Sequence, residues 1–224
     1  KAAGLTEFQV SVGQVDYYKS LLAEADLEPE MEEHLRELIS QKNYFGVEEL
    51  LKGQNLSESL SEAFAELPQM FGSVEVLEKA KKLTSNPEAL FAVKRLEEIY
   101  EILKVYGCEK YIAFDFGMLS KFRYYTGIIF QAYTYGTGEP LIKGGRYNEL
   151  MKHFGKPASS IGFAIVVDNL MLALSRQKLT VPSGDKTVVI TYEAGELKKA
   201  IQEAITLRGE GKKVALCPKK EEQE

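Results

Sequence analysis

The residues of this chain best suited to grip a small polar ligand stand in two runs, Tyr124-Tyr125-Thr126-Gly127 and Gly144-Gly145-Arg146-Tyr147. Adjacent tyrosines on an extended strand point to opposite faces, so one ring can join a core while the other presents its hydroxyl to a cavity. A glycine inside a strand marks close approach of a ligand or another backbone, which singles out Gly127. The paired glycines read as a loop that exposes backbone N–H and C=O groups, tolerates positive φ and can hold a carboxylate or an amine. Arg146 can bind a carboxylate bidentately or sit in a structural ion pair. The plainer alternative for the whole stretch is a packed aromatic hairpin, and side-chain alternation by itself favours it.

Other chemistries find little support. His34 and His153 have no neighbouring cluster of ligating residues, so a metal site is not expected, and no cofactor motif is present. Cys108 and Cys217 form no CxxC pair and read as reduced, partly buried thiols of a cytoplasmic protein. No nucleophile–base constellation stands out. A net charge of −5 argues against a nucleic-acid partner, because neutralising phosphates needs a surplus of Lys and Arg. No apolar run approaches the ~18–20 residues of a membrane span, and no signal peptide is visible.

The elements that must position these residues follow from periodicity. Phe8, Val10 and Val12 alternate as a half-buried strand does. A helix over 17–26 and one starting near Pro29 come next, the latter with an apolar stripe of Leu35, Leu38 and Ile39. Short helices are expected over 47–52, 56–67 and 74–83, punctuated by Gly46, Gly53, Pro68 and Gly72. The strongest helix runs from the Asn86 cap and Pro87 to the Gly107 stop. Its stripe of Leu90, Val93, Leu96, Ile99, Leu103 and Tyr106 predicts core packing. Beyond Tyr111 the period changes to that of strands. A long aromatic strand is expected over 122–135, a return strand to Lys143, a short helix over 147–153, and a strand then a helix to about Ser175. After the linker-like TVPSGD, residues 186–224 read as a β-α-β unit that stops early. The chain begins as a helix tail running into a strand, which suggests a part of a longer protein.

Taken together, "YYTGIIF", "GGRYNEL" and "SSIGFAIVVDNL" resemble the back half of the catalytic core of histidyl-tRNA synthetases and their relatives. The likeness is specific over residues from about 110 to 175, with Asp115-Phe116-Gly117 matching the family's Asp-Leu-Gly. It implies an α+β fold of the class II synthetase type: an antiparallel sheet flanked by helices, with a helical insertion over about 28–107. Residues 1–179 would form a partial core and 186–224 a truncated C-terminal unit. It also implies a histidine site built from Tyr124, Tyr125, Thr126, Gly127, Gly144, Gly145, Arg146 and Tyr147.

The departures from the synthetase pattern point to one branch. Ser120 stands where the synthetases carry a functional arginine, Arg123 where they carry an aspartate, and Asp168-Asn169 where they carry Glu-Arg. Asparagine cannot replace the permanent charge that a reacting triphosphate requires. An amino-acid pocket kept without these arginines resembles the regulatory subunit of ATP phosphoribosyltransferase. That likeness implies a non-catalytic protein and a short-form catalytic subunit as partner. It further implies histidine as effector, homodimerisation of the full-length protein, and no membrane or nucleic-acid partner. The alternative is a fragment of a true histidyl-tRNA synthetase.

Overall fold

The computed structural model describes residues 3–119, 125–179, 187–193 and 195–219, and the chain divides into two units, Lys1–Leu179 and Thr180–Glu224. The first unit starts with strand β1 (Phe8–Gln14), which passes directly into helix α1 (Val15–Ala25). Gln14 makes this junction, its side chain accepting a hydrogen bond from the Asp16 amide at 3.4 Å. Helix α2 (Pro29–Ser40) opens on proline with Glu30 and Glu32 in its first turn, where acidic groups favour the helix dipole.

Helices α3 (Tyr44–Leu51) and α4 (Glu58–Glu66) start on side-chain caps, Asn43 to the Gly46 amide at 2.9 Å and Ser57 to the Leu60 amide at 3.2 Å. Gly46 therefore does not punctuate the helices as expected. It lies inside α3, where a Cβ would come within 2.7 Å of Leu38 and 2.6 Å of Asn43. A two-residue strand, β2 (Phe71–Gly72), and helix α5 (Glu75–Lys82) follow. Helix α6 (Pro87–Val105) begins as anticipated, with Asn86 accepting from the amides of Glu88 at 3.0 Å and Ala89 at 3.2 Å.

Strands β3 (Ile112–Asp115), β4 (Ile128–Thr134), β5 (Ile142–Tyr147) and β6 (Ser160–Ile165) complete the sheet, and helix α7 (Val167–Arg176) closes the unit. The strand order is β2-β3-β1-β4-β5-β6. The sheet is mixed, which corrects the expectation of an antiparallel one: β1 pairs parallel to β3 and antiparallel to β4. A parallel pair needs a long crossover, and the helices between β1 and β3 supply it.

These helices and the sheet share one core. Leu21, Leu35, Ile39, Val47, Phe64, Leu77, Val93 and Leu96 join Phe114 and Phe116 in a single buried cluster. The α6 stripe is divided, however. Val93 and Leu96 are fully buried, while Ile99 and Leu103 are half-buried and Tyr106 is 76% exposed. A smaller cluster of Leu5, Leu141, Ala173 and Leu174 seats α7. In the second unit, β7 (Val188–Tyr192) and β8 (Val214–Pro218) pair in parallel, joined by helix α8 (Leu197–Gly209), whose Ala200 and Ala204 are buried. Cys217 of β8 is exposed and Cys108 half-buried, so only one of the two thiols is partly buried as expected. Among the described residues, no helix is long and apolar enough to cross a membrane, and no cluster of His, Cys, Asp and Glu could hold a metal ion.

Tyr17 ties the helices to the sheet. It is 1% exposed, meets the Phe116 ring edge-on at 4.7 Å, and its hydroxyl donates to the Ala80 carbonyl at 2.9 Å. Burial holds its phenol above the ordinary value of 10.0, so the unfolded chain releases this proton at lower pH than the folded one. The contribution is intact below about pH 10 and is lost as pH rises through the alkaline range. Tyr17→Phe is expected to cost about 1–3 kcal/mol at neutral pH, because the Ala80 carbonyl loses its donor. The variant's stability should also fall less steeply above about pH 10. Urea unfolding at neutral and alkaline pH measures both, and parallel alkaline slopes would refute the linkage.

Candidate functional site

A row of residues across four strands is nearly bare of side chains. Gly13 of β1 pairs with Ile129 of β4, Ile129 with Gly145 of β5, and Gly145 with Gly162 of β6. None of the three glycines has a positive φ, so the requirement is for space and not for backbone freedom. A Cβ on Gly145 would come within 2.7 Å of the Tyr125 ring and 2.8 Å of the Ile128 carbonyl oxygen. On Gly162 it would lie 2.5 Å from the Tyr147 hydroxyl. Two tyrosine rings thus lie across the sheet in a trough that the glycines open.

The neighbouring row on the same face is polar. Ser11 pairs with Gln131, Gln131 with Lys143, and Lys143 with Ala164. Tyr133, two residues after Gln131 and so on the same face, donates its hydroxyl to the Gln131 amide oxygen. Burial, and then the charges of Asp115 and Glu139, push this phenol above its ordinary range, so it acts as a neutral donor. Asp115 itself is engaged: it pairs with Lys42 and accepts from the Gly117 amide at 2.9 Å.

The eight residues marked by the sequence do not form one cluster. Tyr124 lies outside the described residues, as do Ser120 and Arg123. Tyr125, Gly145 and Tyr147 meet on the glycine-row face. Gly144 and Arg146 alternate onto the other face. There, a Cβ on Gly144 would meet the Phe130 ring at 2.6 Å. The glycine pair is therefore part of β5 and not a loop, and each glycine makes room for an aromatic ring on a different face. Of the expected strand over 122–135, residues 122–124 lie outside the described ones, and among the rest β4 spans Ile128–Thr134.

Gly127, at φ +93°, turns the chain ahead of β4, and its carbonyl accepts from the Val15 amide at 3.0 Å. Thr126 is pinned to β5: its amide donates to the Arg146 carbonyl at 2.8 Å, and its hydroxyl accepts from the Asn148 amide at 2.8 Å. The Tyr125 carbonyl accepts from Lys19 at 3.0 Å. Thr126 and Gly127 thus fix where the Tyr125 ring falls.

Arg146 donates from Nε to Asn148 at 3.0 Å and lines, with Val10, Val12, Ile99, Leu103, Ile128, Phe130 and Ile161, a hollow of about 560 Å³. This hollow is apolar and lies between α6 and the sheet face opposite the tyrosines. The sequence stripe assigned wholly to packing supplies two of its walls, Ile99 and Leu103. Sequence inspection did not single out Ser11, Gln131 and Lys143, which the register places side by side on the glycine-row face. Each sits in an alternating strand, and only the cross-strand register sets them side by side.

Comparison with known proteins agrees with this architecture. The family model described as histidyl-tRNA synthetase matches residues 1–170. The ATP phosphoribosyltransferase regulatory subunit of Clostridium acetobutylicum is 40% identical over 94% of this chain and 52% of its own length. That of Acetivibrio thermocellus is 37% identical over 94% of this chain and 50% of its own. The chain thus spans about half the length of the curated relatives it matches. A crystal structure of an ATP phosphoribosyltransferase regulatory subunit/histidyl-tRNA synthetase from Bacillus halodurans superposes with a TM-score of 0.73 at 31% identity, covering 96% of this chain and 55% of that one. Histidyl-tRNA synthetase from Nostoc sp. PCC 7120 shares the fold, with a TM-score of 0.69 at 19% identity over 99% of this chain and 55% of that one. The sheet, its helices and the match over residues 1–170 lead to one assignment: this chain belongs to the histidyl-tRNA synthetase-like family that includes the ATP phosphoribosyltransferase regulatory subunits.

Proposed function

We propose that this chain works within a non-catalytic regulatory subunit of ATP phosphoribosyltransferase, and that its glycine-row face binds histidine as feedback effector. The full subunit is required for the enzyme's activity and for histidine control of the first step of histidine biosynthesis. Its partner is a short-form catalytic subunit, and full-length copies pair with each other. The observation that carries this reading is the 37–40% identity, along 94% of the chain, to proteins of that name. Control follows from linkage: histidine binds one global state of the complex better and shifts the population towards the less active form. Such couplings are typically about 1–3 kcal/mol.

The chemistry of the face supports a binding role without adenylation. Asn169, in the first turn of α7, donates to the Pro140 carbonyl at 3.0 Å and brings no positive charge. Arg176 is engaged with the Gly136 carbonyl, and Arg146 faces the apolar hollow. A triphosphate undergoing attack needs fixed cations at the developing charge, each worth several kcal/mol. The tyrosine trough offers stacking and hydroxyl groups suited to an imidazole and an amine.

The description of the matching family model favours one other reading, a piece of a functional histidyl-tRNA synthetase. Histidine-dependent pyrophosphate–ATP exchange by the full-length protein decides between them: we expect none, and measurable exchange overturns the regulatory assignment. Mixing the full-length protein with a short-form catalytic subunit should give a complex on size-exclusion chromatography and restore histidine-sensitive activity. Absence of both would sink the partnership.

Two substitutions probe the site itself. Tyr125→Ala is expected to weaken histidine inhibition at least about fivefold while leaving assembly intact, since a stacked, desolvated aromatic group contributes about 1–3 kcal/mol. Gly162→Ala inserts a methyl group against the Tyr147 hydroxyl, the movable end of a side chain. It should cost no more than about 1–3 kcal/mol of stability yet displace the ring. Calorimetry should then show weaker histidine binding, and unchanged affinity would remove Tyr147 from the site.

A further inference from the structure

We infer that Lys143, held beside Gln131 and Ser11, reads the carboxylate of the amino acid bound on the glycine-row face. This rests on the histidine reading above and adds the residue that distinguishes an amino acid from its decarboxylated or reduced analogues.

Three observations converge. The first is position. Lys143 is directly opposite Gln131 and two residues before Gly145 on the same strand, so it stands on the rim of the trough where the Tyr125 ring lies. The second is charge. Lys143 is the single cation among the described strand residues of this face, it is exposed, and no carboxylate among the described residues pairs with it. The nearest acidic strand residue of the face, Asp115, is already paired with Lys42.

The third is an unspent polar group. Ser11, across Gln131 from Lys143, is only 4% exposed, yet its hydroxyl makes no hydrogen bond among the described residues. No buried side-chain polar atom among the described residues lacks a partner, so this hydroxyl reaches the surface, where it can bond a ligand or its water. Gln131 is tied through its oxygen to the Tyr133 hydroxyl, which leaves its amide N–H₂ group to donate. Ser11, Gln131 and Lys143 thus form a donor wall beside an aromatic trough. A carboxylate, an acceptor on both oxygens, is the group that such a wall suits.

The test is calorimetric titration of the full-length protein with L-histidine and with L-histidinol, which keeps the imidazole and the amine but lacks the carboxylate. For Lys143→Met, histidine affinity should fall at least about tenfold, the usual scale for a lost charged hydrogen bond, while histidinol affinity stays within about twofold. Lys143→Arg should recover part of the loss. Equal losses for both ligands would make Lys143 a structural residue, and undiminished histidine affinity would remove it from the site; either overturns the inference alone. Failure of the unmodified protein to bind histidine overturns this inference together with the reading it rests on.

Discussion

A strand glycine, having no Cβ, leaves space over a β-sheet that a neighbouring aromatic side chain can fill. That constraint organises the described surface of the larger unit. Gly145 and Gly162 stand in one cross-strand row, and the rings of Tyr125 and Tyr147 occupy the space they leave. Gly144 does the same for Phe130 on the opposite face. A single added methyl group at these positions would push a ring off the sheet. The consecutive glycines of β5 serve two faces at once, and the two faces diverge in character around them.

One face carries polar side chains and the other mostly apolar ones. On the apolar face, Val12 and Phe114 complete a core shared with α1 and α6, and aliphatic and aromatic side chains, with Arg95 and Arg146, line the hollow beyond it. On the other, Ser11, Gln131, Tyr133 and Lys143 line up beside the tyrosines. The helical crossover between the parallel strands β1 and β3 packs into the main core. Its buried Leu35, Phe64 and Leu77 belong to the same cluster as Phe114. A polar face on so well anchored a sheet can hold a ligand in fixed geometry.

Local chemistry made the helices legible in advance. Asn86, Pro87 and Gly107 set the ends of α6, and Pro29 the start of α2, because caps act on the backbone groups of adjacent turns. Gly46 misled, since a glycine required by a neighbouring Leu38 and Asn43 looks in sequence like one that breaks a helix. The stripe of α6 misled in part, because helical spacing reports which residues share a face and not whether that face is filled. The parallel pairing of β1 with β3 was invisible for a similar reason: a strand's pattern does not name its neighbour.

The amino-acid sequence by itself determined the family, the start of α2, both ends of α6, and the tyrosine and glycine runs. All of these are properties of residue type and of spacing along the chain. Only the tertiary structure decided that Gly144 and Arg146 face away from Gly145 and Tyr147, and that Gly13 joins Gly145 and Gly162 in one row. It alone placed Ser11 and Lys143 on either side of Gln131. These juxtapositions depend on the register between strands far apart in sequence, and a shift of a single residue would turn every side chain to the other face.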